Sequence, residues 1–361
     1  MSSLIDSPDS PRLEALCKKL AQAASSLEDG CDWPSEQLDW CAQAGVFRWF
    51  HRPADGGLGW NEADLCRGYV ALSRACLTTA FVITQRVGAC RRIAGAANEK
   101  LKQRLLPPLL KGETFATVGI SHLTTSRQHW KKPVLLATEE AEGFRLVGSS
   151  PWVTGAPYAD WLVIGAVTED NRQVLVAVPT DQEGVDAPPG IRLAGLTASQ
   201  TGPVHFDHVL VPHADVIAGP SADVMGRGKG ASTGGLQTSA LAIGLADAAI
   251  DYLETEAQRR PNLAIPASRL REQWELEYER LLRLAIEDEP SAKSRLRQRA
   301  NSLVLRATQV ALGAAKGAGY VWGHPTNRWC REALFFLVWS CPQVVADANL
   351  CELAHGPDFF T

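Results

Sequence analysis

The spacing of apolar residues changes twice along this chain, and that change limits the fold more than any single motif. From residue 11 to 111 apolar residues recur every three or four positions, as in Leu13, Leu16 and Leu20, which is typical of amphipathic helices. Between about residues 115 and 212 the period falls to two, with Gly, Pro, Asn and Asp between short runs. A helical period returns from Leu241 onwards. Strands therefore do not alternate with helices as a doubly wound sheet requires, and the sequence predicts an α+β protein.

Three domains follow from this order. We predict an N-terminal helical domain over residues 1–114, a middle antiparallel β domain over 115–220 and a C-terminal helical bundle over 221–361. A chain of 361 residues is about twice as long as one hydrophobic core usually organises, so several packed units are expected. The glycine-rich stretch at 218–235 is predicted to link the second and third units.

Composition and charge exclude several classes of protein. The 36 basic and 40 acidic residues give a formal charge of −4, so there is no excess of cations for nucleic acid or an anionic membrane surface. The longest run of large apolar side chains, at 334–339, is far shorter than the roughly 20 residues of a membrane span. The first residues contain acids and prolines where a secretory signal would be basic and then apolar, so a cytoplasmic location is expected. Nine cysteines without a CxxC pair argue against a disulfide framework and against a metal site.

Most familiar catalytic motifs are missing from the sequence. Residues 226–230 (GRGKG) lack the Ser or Thr that follows the lysine of a phosphate-binding loop, and no GxGxxG opens a helix after a predicted strand. Neither a GxSxG elbow nor an HExxH pattern occurs. In the β region, Trp152 and Thr154 are two positions apart, which places both side chains on one face of a strand. An indole beside a hydroxyl is suited to form one wall for a flat heteroaromatic ring such as a flavin.

Segments spread over nearly the whole chain resemble the acyl-CoA dehydrogenase superfamily. They are a proline-glycine loop at 52–59, a leucine-proline segment at 98–113, SPWVTGAPYAD at 150–160, the strand at 195–212 and a helical segment at 317–333. The resemblance implies a helical N-terminal domain, a β-barrel-like middle domain and a C-terminal four-helix bundle. It also implies FAD as the cofactor, with FMN as the alternative, and a homodimer or homotetramer that acts on a small molecule such as a CoA thioester.

The resemblance assigns the cofactor-binding residues. Trp152 would form the flavin wall, and Thr154 and Ser126 would be polar contacts. In the family's flavin-and-substrate loop this chain has residues 120–127, where Ser126 is kept but the threonine and both acids are replaced.

Other cofactor contacts of the family are also replaced. The arginine motif that holds the cofactor pyrophosphate would lie near residues 259–263, where an arginine is present without the family's Phe and Gly. Gly313 and Lys316 stand where the family has a glutamine and a glycine that meet the cofactor across a subunit interface.

The family's catalytic glutamate is replaced as well. That glutamate lies nine residues after an arginine that Arg331 matches, and the corresponding position holds Ser340. Serine is not a base at neutral pH, and loss of an aligned base costs about 10²–10⁴-fold in rate. Glu332, the nearest acid in sequence, is predicted to be a helix-surface acid paired with an arginine. No catalytic residue is assigned from the sequence.

Three functions are consistent with these residues. The first is an FAD-dependent oxidoreductase of acyl-CoA dehydrogenase type, acting on an acyl-CoA or related substrate with Ser340 at the usual base position. The second is a monooxygenase of the same fold that uses oxygen and reduced flavin from a flavin reductase, with His122 or Ser340 as hydrogen-bonding groups. The third is a non-catalytic binding or assembly protein that has kept the fold.

Overall fold

The computed structural model describes residues 4–29, 32–124, 134–225, 235–287 and 289–355. Ser126 and the GRGKG segment therefore lie outside the described residues. In the described part of the chain, no helix combines the length and the apolarity that a membrane span needs.

The described N-terminal residues form six α-helices, in the region where the apolar spacing predicts helical structure. Their bounds are α1 Pro11–Ala23, α2 Ser26–Asp29, α3 Ser35–Gln43, α4 Glu62–Ala75, α5 Leu77–Ala94 and α6 Glu99–Lys111. Local signals set several ends: the side chains of Ser10, Asn61 and Asn98 accept hydrogen bonds from the first turns of α1, α4 and α6. Gly112 ends α6 at a φ of 78°, a left-handed conformation that glycine adopts without strain.

The strands form one eight-stranded sheet. They are β1 Ala116–Gly119, β2 Leu135–Glu140, β3 Gly143–Thr154, β4 Trp161–Thr168, β5 Gln173–Pro179, β6 Val185–Asp186, β7 Thr201–Pro212 and β8 Val216–Ser221. The sheet order is β6-β7-β3-β2-β4-β5-β8, and β1 pairs with β4. Most pairs are antiparallel, but β1 and β2 both pair with β4 in parallel. The sheet is thus mixed where the sequence predicted antiparallel pairing, because alternation marks a strand without giving its direction. A one-turn helix, α7 Ser121–Thr124, follows β1.

Five helices follow the sheet: α8 Leu236–Ala257, α9 Ala264–Leu284, α10 Pro290–Gly319, α11 Pro325–Ala333 and α12 Gln343–His355. Helix α10 contains a break at Lys316, whose φ of 57° is outside the helical region. The order of helices, sheet and helices confirms the predicted α+β class. The predicted domain boundaries stay predictions.

Helix α5 joins the helical and sheet parts of the molecule. Phe81, Ile83 and Val87 belong to the core that holds the other helices together, whereas Cys90 and Ile93 pack in a second core with α6 and the strands. Fourteen of the 18 residues of α5 are buried, so other elements enclose most of its surface. This enclosure fixes the position of α5 against the sheet.

Helices α4 and α8 approach each other closely at Gly244. A Cβ atom there would lie 2.4 Å from the carbonyl oxygen of Val70 and 2.9 Å from Cβ of Ser73. The Ser73 hydroxyl donates a hydrogen bond of 2.6 Å to the carbonyl oxygen of Leu241. The close contact between α4 and α8 therefore depends on glycine, which has no side chain, at position 244.

We expect Gly244→Ala to lower the free energy of unfolding by about 1–3 kcal/mol, because the added methyl group forces the two backbones apart. The matched control is Gly313→Ala in α10, where an added Cβ meets no atom within 4 Å. That control should be neutral or stabilising by up to about 1 kcal/mol, through helix propensity alone. Urea unfolding followed by circular dichroism measures both, and equal midpoints for the two variants would contradict the close contact.

Candidate active site

A cavity of about 660 Å³ lies between α5, the strands and the segment after α11. It falls in the range of small-molecule and cofactor sites, about 300–1,000 Å³. Strand β1 contributes Val118, strand β3 contributes Trp152 and Thr154, and the segment after α11 contributes Trp339 and Ser340. Residues that are distant in sequence thus meet around one space.

Trp152 and Thr154 both line this cavity, as their spacing on a strand predicts. Val153 between them points into the core of the sheet and is fully buried. The Trp152 side chain keeps 47% of its surface exposed, whereas Thr154 is 3% exposed. A large indole thus remains accessible inside a concave site, while the neighbouring hydroxyl is held in the wall.

Thr154 belongs to a chain of hydroxyl groups that the sequence did not indicate. Its Oγ1 lies 2.9 Å from Oγ1 of Thr201, which lies 2.8 Å from Oγ of Ser199. Thr201 is the register partner of Thr154 across β3 and β7, and it also lines the cavity. The Thr117 hydroxyl donates a 2.6 Å hydrogen bond to the Thr154 carbonyl oxygen. Thr201 lies inside a segment that resembles the family, but only the strand register brings it beside Thr154.

Ser340, which the resemblance predicts at the position of the family's glutamate, lines the same cavity. Its φ is 45°, a left-handed conformation that is uncommon for residues other than glycine. Three aromatic rings of the same lining pack against one another: the ring of Phe81 lies 4.8 Å from that of Phe335 and 5.0 Å from that of Trp339, centroid to centroid. The spacing of nine residues from Arg331 therefore does lead to a residue of the cavity.

None of the described residues that line the cavity is an aspartate or a glutamate. The segments at 125–133 and 226–234, which lie outside the described part, contain neither residue type in their sequences. Arg91, Arg92 and Arg331 are the charged residues of the described lining. The described lining of the cavity therefore carries cationic side chains and no carboxylate that could act as a base.

His122, which the sequence offered as a hydrogen-bonding group, does not line the cavity. It is buried, and its Nε2 lies 2.7 Å from the carbonyl oxygen of Gly165. Burial lowers the pKa of this imidazole, so it is neutral at physiological pH. With Nε2 donating to Gly165, Nδ1 is left as the acceptor in a buried position.

Glu332 is not the surface acid that the sequence suggested. Its side chain is buried against a second cavity of about 320 Å³, which Glu28 and Arg328 also line. The Arg328 guanidinium is 3.9 Å away, at the limit of an ion pair, and Arg331 pairs with Glu28 instead. Burial raises the pKa of Glu332 to about 7, against the opposing effect of Arg328. The prediction failed because helical periodicity does not report how α11 packs on the N-terminal helices.

The positions expected to hold the rest of a cofactor lie outside this cavity's lining. Arg260 donates to Glu256 and to the Ala314 carbonyl oxygen, both at 2.6 Å. Gly313 has open space beside it. The described lining of this cavity therefore does not include Arg260 or Gly313, the positions that the resemblance assigns to the rest of a cofactor.

Comparisons with known proteins indicate the class of protein. A family model for the acyl-CoA dehydrogenase N-terminal domain matches residues 13–113. Benzylmalonyl-CoA dehydrogenase of Aromatoleum aromaticum is 22% identical over 348 residues, which cover 89% of this chain and 90% of that protein. The structure of butyryl-CoA dehydrogenase from Megasphaera elsdenii matches with a TM-score of 0.80 at 17% identity, covering 95% of this chain and 97% of that one.

A dibenzothiophene monooxygenase from Paenibacillus has the same fold. Its TM-score is 0.77 at 16% identity, and the match covers 95% of this chain and 96% of that one. Together, the N-terminal family model and these likenesses support membership of the acyl-CoA dehydrogenase superfamily, in agreement with the resemblance stated from the motifs.

We expect the stability of the protein to depend on the protonation of Glu332. Its folded pKa of about 7 exceeds the ordinary value of 4.5, so the folded state binds this proton more tightly and the free energy of unfolding falls as pH rises from 4.5 through 7. Glu332→Gln removes this dependence. Between pH 5 and 8 the variant should gain up to about 3 kcal/mol relative to the wild type.

Urea unfolding at pH 5, 6, 7 and 8 measures this difference. The control is Glu275→Gln, which changes an exposed carboxylate on α9. A pH profile for Glu332→Gln that runs parallel to those of the wild type and the control would contradict a buried, proton-binding Glu332.

Proposed function

We propose that this protein is a flavin-dependent oxidoreductase that binds FAD, with FMN as the alternative, in the cavity beside Trp152. The observation that carries the proposal is the half-exposed indole of Trp152 in a cavity of about 660 Å³, next to the hydroxyls of Thr154 and Thr201. Acyl-CoA dehydrogenase relatives depend on FAD, in agreement with the cofactor predicted from the sequence.

The residues present fit the ring of such a cofactor. A flavin ring needs a flat apolar wall and polar groups at its edge, and Trp152 would supply the wall. Each hydroxyl has one donor and two acceptor positions, so the chain formed by Thr154 and Thr201 retains hydrogen-bonding capacity for the ring edge. Ser126, outside the described residues, remains a proposed third contact. When bound, the flavin would supply the two-electron chemistry that no side chain of the cavity supplies.

The proposed substrate is an acyl-CoA or a related small molecule. One relative is named a benzylmalonyl-CoA dehydrogenase, and one structure of the same fold is a glutaryl-CoA dehydrogenase with glutaryl-CoA. Phe81, Phe335 and Trp339 would bind an apolar part of the substrate by shape and by exclusion of water.

We also propose a homodimer or homotetramer. Helix α12 and the segments between the C-terminal helices carry large apolar side chains that are more than half exposed in the single chain, which supports an assembled state: Tyr320, Val321, Trp322, Val338, Val344, Leu350 and Leu353. In such an assembly, residues of a neighbouring subunit would also bind the part of the cofactor that lies outside the flavin ring.

The missing carboxylate favours a second candidate function. Dehydrogenation of an acyl-CoA requires a base that removes the proton next to the thioester carbonyl, and neither Ser340 nor the rest of the described lining provides one. A monooxygenase that receives reduced flavin from a flavin reductase and uses oxygen has no such requirement. The dibenzothiophene monooxygenase of the same fold is in line with this alternative.

Flavin binding tests the proposal directly. We expect the purified protein, or protein incubated with FAD, to show flavin absorbance after gel filtration. Trp152→Ala should weaken flavin retention, because a lost ring contact costs on the order of 1 kcal/mol beyond the lost area. Flavin content per chain, measured by absorbance after denaturation, gives the result.

Trp40→Ala is the matched control, since it removes an indole from α3 that does not line the cavity. A colourless protein that takes up neither FAD nor FMN contradicts the proposed function. Normal flavin retention in Trp152→Ala contradicts the role of this indole alone.

We expect Ser340→Glu to raise the rate at which acyl-CoAs reduce the bound flavin, by restoring a carboxylate to the cavity. The gain should be at least tenfold, which is below the roughly 10²–10⁴-fold contribution of an aligned base because the backbone at this residue is left-handed. Anaerobic bleaching of the flavin by a panel of acyl-CoAs measures the rate.

Ser340→Gln is the control, because the glutamine side chain has nearly the same shape as glutamate but no carboxylate that could accept a proton. Equal rates for the Glu and Gln variants would contradict the placement of Ser340 at the base position. No bleaching in the wild type, together with oxygen-dependent turnover once a flavin reductase is added, would favour the monooxygenase.

A further inference from the structure

Helix α5 forms one wall of the main cavity along most of its length. Phe81, Gly88 and Arg91 follow one another at helical spacings of seven and three residues, and all three line the cavity. The residues from Phe81 to Arg91 span about 15 Å of helix, so the cavity has two separate ends. Phe81 contacts the rings of Phe335 and Trp339, which makes the first end aromatic.

Tyr69 of α4 lies at the second end of the cavity. Its ring lies 5.1 Å from the ring of Phe50, and the Arg91 guanidinium lies 6.0 Å from that same ring. Tyr69 lines the cavity together with Arg91, although only 5% of its surface is exposed. The ring therefore packs in the helical core, and a small part of this side chain faces the cavity.

The Tyr69 hydroxyl has no hydrogen-bond partner among the described residues. The other polar side chains of the described lining that are more than nine-tenths buried each have a hydrogen-bond partner: Thr84, Arg92, Thr154, Thr201 and Thr238. Buried tyrosine hydroxyls usually find a partner. The hydroxyl of Tyr69 is therefore available to a group that occupies the cavity.

A missing partner alone does not indicate a binding site. Nε1 of Trp60 and Nε2 of His51 are also buried without a hydrogen-bond partner among the described residues, but neither residue lines the cavity. Tyr69 differs from both, because it combines burial and an unpaired hydroxyl with contact to a space of small-molecule size. These three properties together point to a ligand contact.

The unpaired hydroxyl makes this end of the cavity selective. Burial raises the pKa of Tyr69, so the phenol keeps its proton at neutral pH and can donate as well as accept a hydrogen bond. A ligand that places apolar atoms against the phenol leaves it unpaired, which lowers affinity. A ligand with an oxygen atom at the same place restores the hydrogen bond, and a buried polar group discriminates strongly between two such ligands.

The charges around Tyr69 favour an uncharged group. Arg91 and Arg92 line the same cavity, but both interact with other groups of the protein, so neither is left to balance an anion. Arg91 and Glu62 also act electrostatically on Tyr69 with opposite sign. A hydroxyl or a carbonyl group therefore suits this end of the cavity better than a charged group.

We propose that Tyr69 is a substrate-binding residue, whose hydroxyl pairs with an uncharged oxygen at one end of an otherwise apolar substrate. The oxygen belongs to a hydroxyl or a carbonyl group, and the apolar body lies along α5 between Tyr69 and the aromatic end. This proposal rests on the proposed function only in treating the occupant of the cavity as a substrate.

1-Hexanol and 1-chlorohexane are suitable probes, because they have nearly the same size and only the alcohol forms strong hydrogen bonds. We expect Tyr69→Phe, which removes one oxygen atom and keeps the ring, to weaken the binding of 1-hexanol to the flavin-loaded protein. The loss should be about three- to tenfold, as for one neutral hydrogen bond, while the affinity for 1-chlorohexane stays the same or rises. Isothermal titration calorimetry measures both affinities.

Tyr252→Phe is the matched control, since it removes the hydroxyl of a tyrosine on α8 that does not line the cavity, and it should change neither affinity. Circular dichroism checks that both variants are folded. An equal loss for both probes in Tyr69→Phe, no loss for either, or no binding of 1-hexanol to the wild type would overturn the role of Tyr69.

Flavin content, measured on the same samples, separates this proposal from the proposed function. Protein that takes up no flavin but still loses 1-hexanol affinity in Tyr69→Phe contradicts the oxidoreductase and keeps the binding site. Protein that binds flavin and 1-hexanol equally well with and without the Tyr69 hydroxyl keeps the oxidoreductase and overturns the site. A loss of affinity seen only in flavin-free protein would assign the hydroxyl to the cofactor and would also overturn the proposal.

Discussion

The enclosure of α5 is the constraint on which the rest of the structure depends. The helix packs in the core of the helical bundle through its first half and against the strands through its second half. Because both halves are buried, α5 can neither rotate nor slide without opening one of the two cores. The cavity runs along a face of α5 that includes Phe81 and Val87, which also belong to the helical core.

The chemistry of the cavity follows from the residues that line it, which come from α5, the strands and the segment after α11. Its lining combines a half-exposed indole, hydroxyl groups and three aromatic rings with arginines and no described carboxylate. The described lining therefore contains no carboxylate that could act as a base, and its charged residues are arginines.

Local periodicity was enough to predict much of the fold and part of the site. The helix-strand-helix order follows from the change of period, and the common face of Trp152 and Thr154 follows from strand alternation. The spacing from Arg331 also led to Ser340, which lines the cavity. The register partner Thr201 was not predicted, because pairing between β3 and β7 depends on contacts between strands 47 residues apart. Glu332 was expected at the surface, because periodicity on α11 does not reveal what covers the helix.

The sequence by itself determined the α+β class and the pairing of an indole with a hydroxyl on one strand face, since both depend on residues a few positions apart. Only the tertiary structure decided that Arg91 and Arg92 share a cavity with Trp152 and that Glu332 is buried. Those facts depend on how α5 and α11 pack against distant segments. Burial and electrostatic environment are properties of that packing, so the same residues would have a different chemistry in another arrangement.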